Sequence, residues 1–299
     1  MAQTQNRPVA GVLWMLVTGI MFVAVTAIVK HVGSDLPAAQ SAFLRYLLGL
    51  VFLIPAIGPL RRAKLTPRAL KLFGFRGLVH TFGVASWFYA MTQISIAEVT
   101  AMNYLAPVYV TIGAAFFLGE KLALRRILAV GVALIGAMVI LRPGFRELSP
   151  GHFAMLFTAV MFAGSYLTAK VMADEVSPAV VVAMLSVTVT IGLAPLAAMV
   201  WVTPTMEQLI WMFVLACFAT AGHYTMTLAF QAAPVTVTQP VTFLQLFWAV
   251  LLGALVFDEG FDSWVIFGGL IILASVSFIT WREAVLKRST TPPVPATKV

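Results

Sequence analysis

The 299 residues are 61% hydrophobic and only 10% charged, with a formal net charge of +8 and a single cysteine. So few charges cannot clothe a soluble domain of this size, and one thiol closes no disulfide within the chain. The basic surplus invites a nucleic-acid reading, but it is distributed over alternate loops as a membrane-topology signal, which excludes that reading.

A helix needs about 20 mostly apolar residues to cross a hydrocarbon core of ~30 Å. Ten stretches meet the requirement, at 9–31, 39–59, 70–92, 97–118, 124–141, 151–173, 178–201, 208–230, 236–257 and 263–281. Strand-like alternation is absent, which argues against a barrel. The expected fold class is all-α, a polytopic membrane protein of ten transmembrane helices. The first stretch is too long for a signal-peptide core and is read as an uncleaved span.

In chain order, span one ends near Lys30, and span two carries Arg45 about a turn and a half from its start. Span three sets Gly77, His80, Val84, Trp87 and Met91 on one face. Span four places Thr100, Asn103, Pro107 and Thr111 on one stripe beside Tyr104, and Glu120 follows its end. Pro107 has no N–H for the Asn103 carbonyl, so a kink at Pro107 with a freed backbone acceptor is expected. Span six presents Thr158, Phe162, Ser165 and Tyr166, with Lys170 near its end; span eight presents Gly222, His223, Met226 and Phe230. Span nine carries Gln239, Thr242, Gln245 and Trp248 on one stripe, followed by Glu259. After span ten the polar, Pro-rich end of the chain reads as a disordered cytoplasmic tail over 286–299.

Polar side chains in lipid face protein or a cavity. The stripes of spans four and nine are therefore expected to line a central cavity, although Thr, Asn and Gln also serve as ordinary interhelical glue. Trp87, Tyr104, Tyr166 and Trp248, with Phe162, give apolar walls with polar tips suited to an amphipathic solute; aromatics also gather at membrane interfaces. His80 and His223 lie deeper than interface histidines, as ligands or as packing residues bonded to a neighbouring helix. Lys30, Arg45, Glu120, Lys170 and Glu259 read as gating or structural charges, with snorkelling the default for the two lysines. The cavity stripes contain no cation, which favours zwitterionic or neutral solutes over phosphorylated ones.

GVLWMLVTGIMFVAVTAIVK (11–30) lies over GHFAMLFTAVMFAGSYLTAK (151–170) without a gap. TFGVASWFYA (81–90) pairs with TAGHYTMTLA (220–229), and YLAPVYVTIGAAFFLGE (104–120) with FLQLFWAVLLGALVFDE (243–259), at a near-constant offset. The halves are 1–145 and 146–285. Five spans per half is odd, so the second half crosses in the opposite sense. The charges agree: the basic 61–71 loop corresponds to WVTPTMEQ (201–208), which has no Lys or Arg, and the basic 121–126 segment to the acidic DEGFD (258–262). With both termini in the cytoplasm, 15 of the 19 basic residues lie on the cytoplasmic side, Arg76 counted among them. Inverted repeats suit alternating access.

The five-helix repeat, the Arg-Tyr of FLRYLLGLVFLIP (43–55), YLAPVYV…LGE (104–120) and its echo FLQLFWA…FDE (243–259) resemble the drug/metabolite transporter superfamily, in its ten-helix EamA-type branch and nearest to the YddG-type exporters of aromatic amino acids. The resemblance implies a secondary transporter of the inner membrane exporting aromatic or neutral amino acids, or related metabolites. The second half departs from the pattern at Leu246, where the first has Pro107.

All 11 acidic residues lie in loops or at span ends, so the simplest carrier is facilitative; a proton-coupled drug/metabolite antiporter and a channel-like pore are the alternatives. Neither GxSxG, HExxH, CxxC nor paired intramembrane aspartates occur, which argues against an enzyme. No cofactor or metal is expected. The expected partners are a small-molecule substrate and the lipid bilayer, with no nucleic acid, and the chain is read as a monomer.

Overall fold

The computed structural model describes residues 7–290 apart from 33–34, 64, 120–123, 146, 173–177 and 234–237. Among them the chain is helical throughout. Span one is α1 (Pro8–Val32). Span two is α2 (Ala38–Gly49), which tightens into a 3₁₀ segment (Leu50–Ala56) around Pro55 before a short α3 (Ile57–Arg62). Span three is α4 (Pro67–Gln93), and span four is split into α5 (Ile96–Asn103) and α6 (Leu105–Leu118). Then come α7 (Leu124–Leu141), α8 (Pro150–Met172), α9 (Pro178–Met199) and α10 (Met206–Ala232). Span nine is a 3₁₀ turn (Gln239–Thr242) followed by α11 (Phe243–Val256), and span ten is α12 (Ser263–Thr290). The last helix runs on to Thr290, past the expected start of a disordered tail at 286; 291–299 lie outside the described residues.

Eight of these segments are long and apolar enough to cross a membrane. The other two are informative exceptions. The α4 helix carries Arg68 and Lys71, which are exposed in its first turns, and Arg76 and His80, which are buried where it packs between α2, α8 and α9. The α11 helix is shorter because its span begins as a 3₁₀ turn. Outward, the bundle shows lipid what a soluble protein would hide: Phe116, Phe117 and Leu255 are each more than 70% exposed. Inward threonines satisfy themselves locally, as Thr111 and Thr168 donate to the carbonyls of Pro107 and Gly164 one turn back.

Helix starts are written into the sequence. Thr66 accepts from the Ala69 N–H ahead of Pro67, and Thr205 forms a capping box with Gln208, so spans three and eight are capped at corresponding places. Ser95 and Glu98 form a second capping box that opens α5.

The packing repeats under exchange of the halves. α1 lies along α10 and α4 along α8; α2 meets α10 as α4 meets α9; α1 meets α11 as α8 meets α6; and α2–α9 and α7–α12 pair with each other. The duplicated Met-Phe of the opening motif explains part of this. A Cβ on Gly83 would stand 2.7 Å from the Phe162 ring, and one on Gly222 would stand 3.2 Å from the Phe22 ring, so each glycine admits the Met-Phe pair of the other half.

Candidate functional site

His80 organises the centre. Its ring is buried in α4, stacked on Phe162 of α8 with centroids 4.9 Å apart. One ring nitrogen lies 3.1 Å from the Tyr46 hydroxyl and the other 3.1 Å from the Ser165 hydroxyl, so a polar chain crosses from α2 through α4 to α8. Phe162 continues to Tyr166 at 6.2 Å. His223 meets the edge of Phe22 at 5.2 Å. Tyr166 is 46% exposed, and His223 is exposed as well.

The break in span four falls at Tyr104, three residues before the expected kink. Pro107 is the third residue of α6, where it needs no helical partner, and the strain of its missing donor is relieved upstream at the Asn103–Tyr104 junction. Asn103 is half-buried, and its side-chain carbonyl oxygen is sealed from solvent with no hydrogen-bond partner. The Tyr104 hydroxyl donates to the Thr242 carbonyl at 3.0 Å, tying the break in span four to the break in span nine. Span nine breaks in the corresponding place without a proline at 246, because Pro240 lies within the preceding 3₁₀ turn.

The other predicted residues are less concentrated. Gln245 is half-buried in the first turn of α11; Trp248 is 40% exposed and meets Phe247 at 5.1 Å. Trp87 meets the ring of its helix neighbour Phe88 edge-on at 5.4 Å. Pro107 is exposed. Arg45 is half-buried, with its guanidinium carbon 4.0 Å from the centroid of the adjacent Tyr46 ring. Glu120 and the Lys170 side chain lie outside the described residues.

At one end of the bundle the charges close a seam. The Lys30 ammonium lies 2.8 Å from Glu259 and donates to the Ile94 carbonyl at 2.9 Å, so it does not snorkel. It stands off the best direction of Glu259 Oε1, so the contact is an ion pair rather than a directed hydrogen bond. The second Glu259 oxygen accepts from the Ile96 N–H at 2.9 Å. Beside this knot His152 meets Glu98 at 3.2 Å, and Arg142 bonds Asp262. Helices α1, α4, α5, α8, α7 and α12, and the loop after α11, are thereby tied at the same end.

Sequence reasoning missed Tyr46, the backbone groups of Ile94 and Ile96, and Arg76. Tyr46 stands in the Arg-Tyr pair that carried the family resemblance. Arg76 was counted as a cytoplasmic charge, but it is buried in α4 with its Nη1 donating to the Val181 carbonyl at 3.1 Å. Its signal was that of any lone cation inside an apolar run. Among the described residues no group of three or more His, Cys, Asp or Glu is arranged to hold a metal.

Comparison with known proteins gives a consistent picture. The model of the EamA-like transporter family matches this chain twice, over 9–142 and 149–281. The chain is 26% identical to the S-adenosylmethionine uptake transporter of Rickettsia conorii, over 91% of this chain and 93% of that one. It is 28% identical to the riboflavin transporter of Rhizobium johnstonii, over 95% of each. A solved crystal structure shares the fold at a TM-score of 0.58 and 17% identity, covering 94% of this chain and 99% of its own.

Proposed function

The chain belongs to the EamA-like transporter family, and from that premise we propose that it is a facilitative carrier of a polar metabolite bearing a planar ring. The observation that carries this reading is the aromatic cluster around His80, where Phe162 stacks on the imidazole at 4.9 Å and continues to Tyr166 at 6.2 Å. Planar faces hold a planar solute by offset or edge contacts. S-adenosylmethionine, riboflavin and aromatic amino acids share that ring, so the relatives' names and the expectation of amino acids meet in one chemistry. The relatives shift the weight from amino-acid export toward adenosyl and flavin solutes.

In this reading the solute's polar end meets Asn103, whose side-chain oxygen lacks a donor, and the Asn103 carbonyl released at the break. The ring packs among Phe162, Tyr166, His223 and Trp248. The halves of residues 1–145 and 146–285 act as inverted repeats, and the Lys30–Glu259 seam closes the periplasmic side while the opposite side admits solute. The clustering of Lys and Arg in alternate loops supports termini and basic loops on the cytoplasmic side, and the bacterial relatives support an inner-membrane location. A carrier without its own ion coupling runs down the solute gradient, so uptake and export are one activity seen under two gradients.

Counterflow in proteoliposomes tests this directly. Liposomes preloaded with unlabelled S-adenosylmethionine, riboflavin or tryptophan should accumulate the labelled solute with no pH or sodium gradient. Accumulation only when an ion gradient is imposed would refute the facilitative mechanism. Failure of every ring-bearing solute would refute the substrate class.

A further inference from the structure

Helices α2, α4, α8 and α9 surround the His80 cluster and contain no Asp or Glu. They do contain three guanidinium groups, of which Arg68 is exposed in the first turn of α4 while Arg76 and Arg45 lie deeper. Arg76 is 7% exposed and lies nine residues into α4, roughly 13 Å along the helix from its start. Its Nε is buried with no partner, and its one hydrogen bond goes to the carbonyl of Val181, in the first turn of α9. Arg45 lies over the Tyr46 ring and makes no ion pair among the described residues. Arg76 lies one turn before His80 on α4, and Arg45 lies against the Tyr46 ring, whose hydroxyl is 3.1 Å from His80. Every neighbour named is neutral or basic. A buried cation without a counter-charge is a costly arrangement, retained where a partner arrives from outside.

We propose that Arg76 and Arg45 form an anion subsite that receives the carboxylate of the transported solute beside the His80 aromatic wall. The subsite rests on the carrier reading above and narrows it from ring-bearing metabolites in general to those that also carry an acid. Arg76 is the binding residue because its fork retains unpaired donors, and a guanidinium takes a carboxylate through two parallel N–H donors. Arg45, held against the Tyr46 face, adds positive potential at the same place. S-adenosylmethionine and tryptophan carry the required carboxylate, whereas riboflavin carries none. The subsite adds to the cation-free stripes of spans four and nine a cationic position for one acid group.

Matched solutes separate the two claims. S-adenosylmethionine is compared with decarboxylated S-adenosylmethionine, and tryptophan with tryptamine, in counterflow on wild type and on Arg76→Met and Arg76→Lys. A charge-assisted hydrogen bond predicts that wild type prefers each acid over its decarboxylated partner by about tenfold to a hundredfold. Arg76→Met should erase that preference by lowering transport of the acids far more than that of their decarboxylated partners, and Arg76→Lys should restore part of it. Thermal unfolding without solute gives a second readout. Arg76→Met removes an uncompensated charge, and the Val181 carbonyl keeps its place in the α9 ladder, so the melting temperature should hold or rise. A fall in melting temperature, with acids and decarboxylated partners losing transport alike, would make Arg76 a structural residue and overturn the subsite. Equal transport of each matched pair by wild type would overturn it while the ring-carrier reading stands. If no ring-bearing solute moves, both readings fall.

Discussion

The seam at Lys30 and Glu259 offers the most direct test of how this bundle closes. Glu259→Ala removes the ion pair at 2.8 Å and the acceptor for the Ile96 N–H. It leaves Lys30 with the Ile94 carbonyl alone. Breaking a fully buried pair by deleting one partner costs about 3–5 kcal/mol. The side chains here are 22% and 12% exposed, so a reduced figure of about 2–3 kcal/mol is appropriate for the closed state. If the open state lacks these contacts, the closed-to-open ratio falls by about thirtyfold to a hundredfold or more. Glu259→Gln keeps an acceptor for Ile96 and loses the charge, so its effect should be intermediate. Exchanging the charges by combining Lys30→Glu with Glu259→Lys should rescue little, because the Ile94 carbonyl then faces a carboxylate and the Ile96 N–H an ammonium. The assay is labelling of Ile94→Cys by an impermeant maleimide added outside intact cells, in a Cys217→Ala background; Ile94 is 6% exposed in the closed arrangement. Faster labelling in Glu259→Ala and Lys30→Ala, in that direction and range, is expected. Labelling at the wild-type rate in both variants would refute the idea that this seam holds the periplasmic side shut.

Other expectations follow from contacts already described. Gly83→Ala should destabilise the protein by about 1–3 kcal/mol through collision with Phe162, seen as a lower melting temperature, whereas Gly74→Ala, with nothing within 4 Å, should be neutral or mildly stabilising. Tyr104→Phe deletes the bond to the Thr242 carbonyl, and the loss of about 1 kcal/mol should appear as a slower transport rate with little change in apparent affinity. Asn103→Ala should weaken counterflow of every solute that wild type carries, since it removes the polar end of the site; wild-type rates would remove Asn103 from it. In the Cys217→Ala background, a cysteine at Arg62 should resist an impermeant reagent outside the cell and one at Phe261 should react, and the reverse pattern would invert the assigned topology.

Much of the architecture was legible because lipid makes strict demands. Ten apolar stretches predicted ten helical segments, and the offset repeat anticipated the exchange-symmetric packing of α1–α10 with α8–α4. The central site was less legible, because periodicity reports which residues share a face and not which helix meets that face. His80 and Phe162 were both singled out, yet their stacking depends on α4 lying along α8, a long-range fact. The kink was placed at Pro107, because a missing donor is visible in sequence while the residue that yields to it is set by packing. The burial of Arg76 was hidden for a related reason. A basic residue near a span end resembles a topology charge until its depth and neighbours are known. The Lys30–Glu259 pair joins residues 229 positions apart, and no local pattern announces such a pairing.

The principal helix pairs all join one half to the other: α1 with α10, α4 with α8, α2 with α9 and α7 with α12. That wiring has a consequence for how the protein is made. At roughly 5–20 residues per second, the ribosome needs about 7–30 s to add the second half after the first is complete. Throughout that interval the first five spans stand in the bilayer with the faces meant for their partners covered only by lipid or by the insertion machinery. Gly83 waits for Phe162, and His80 for Ser165. A first half released alone should therefore be short-lived, prey to membrane quality control, and rescued by supplying the second half as a separate chain. The assembly step that joins the halves, rather than the insertion of any one helix, is where the yield of this protein is decided.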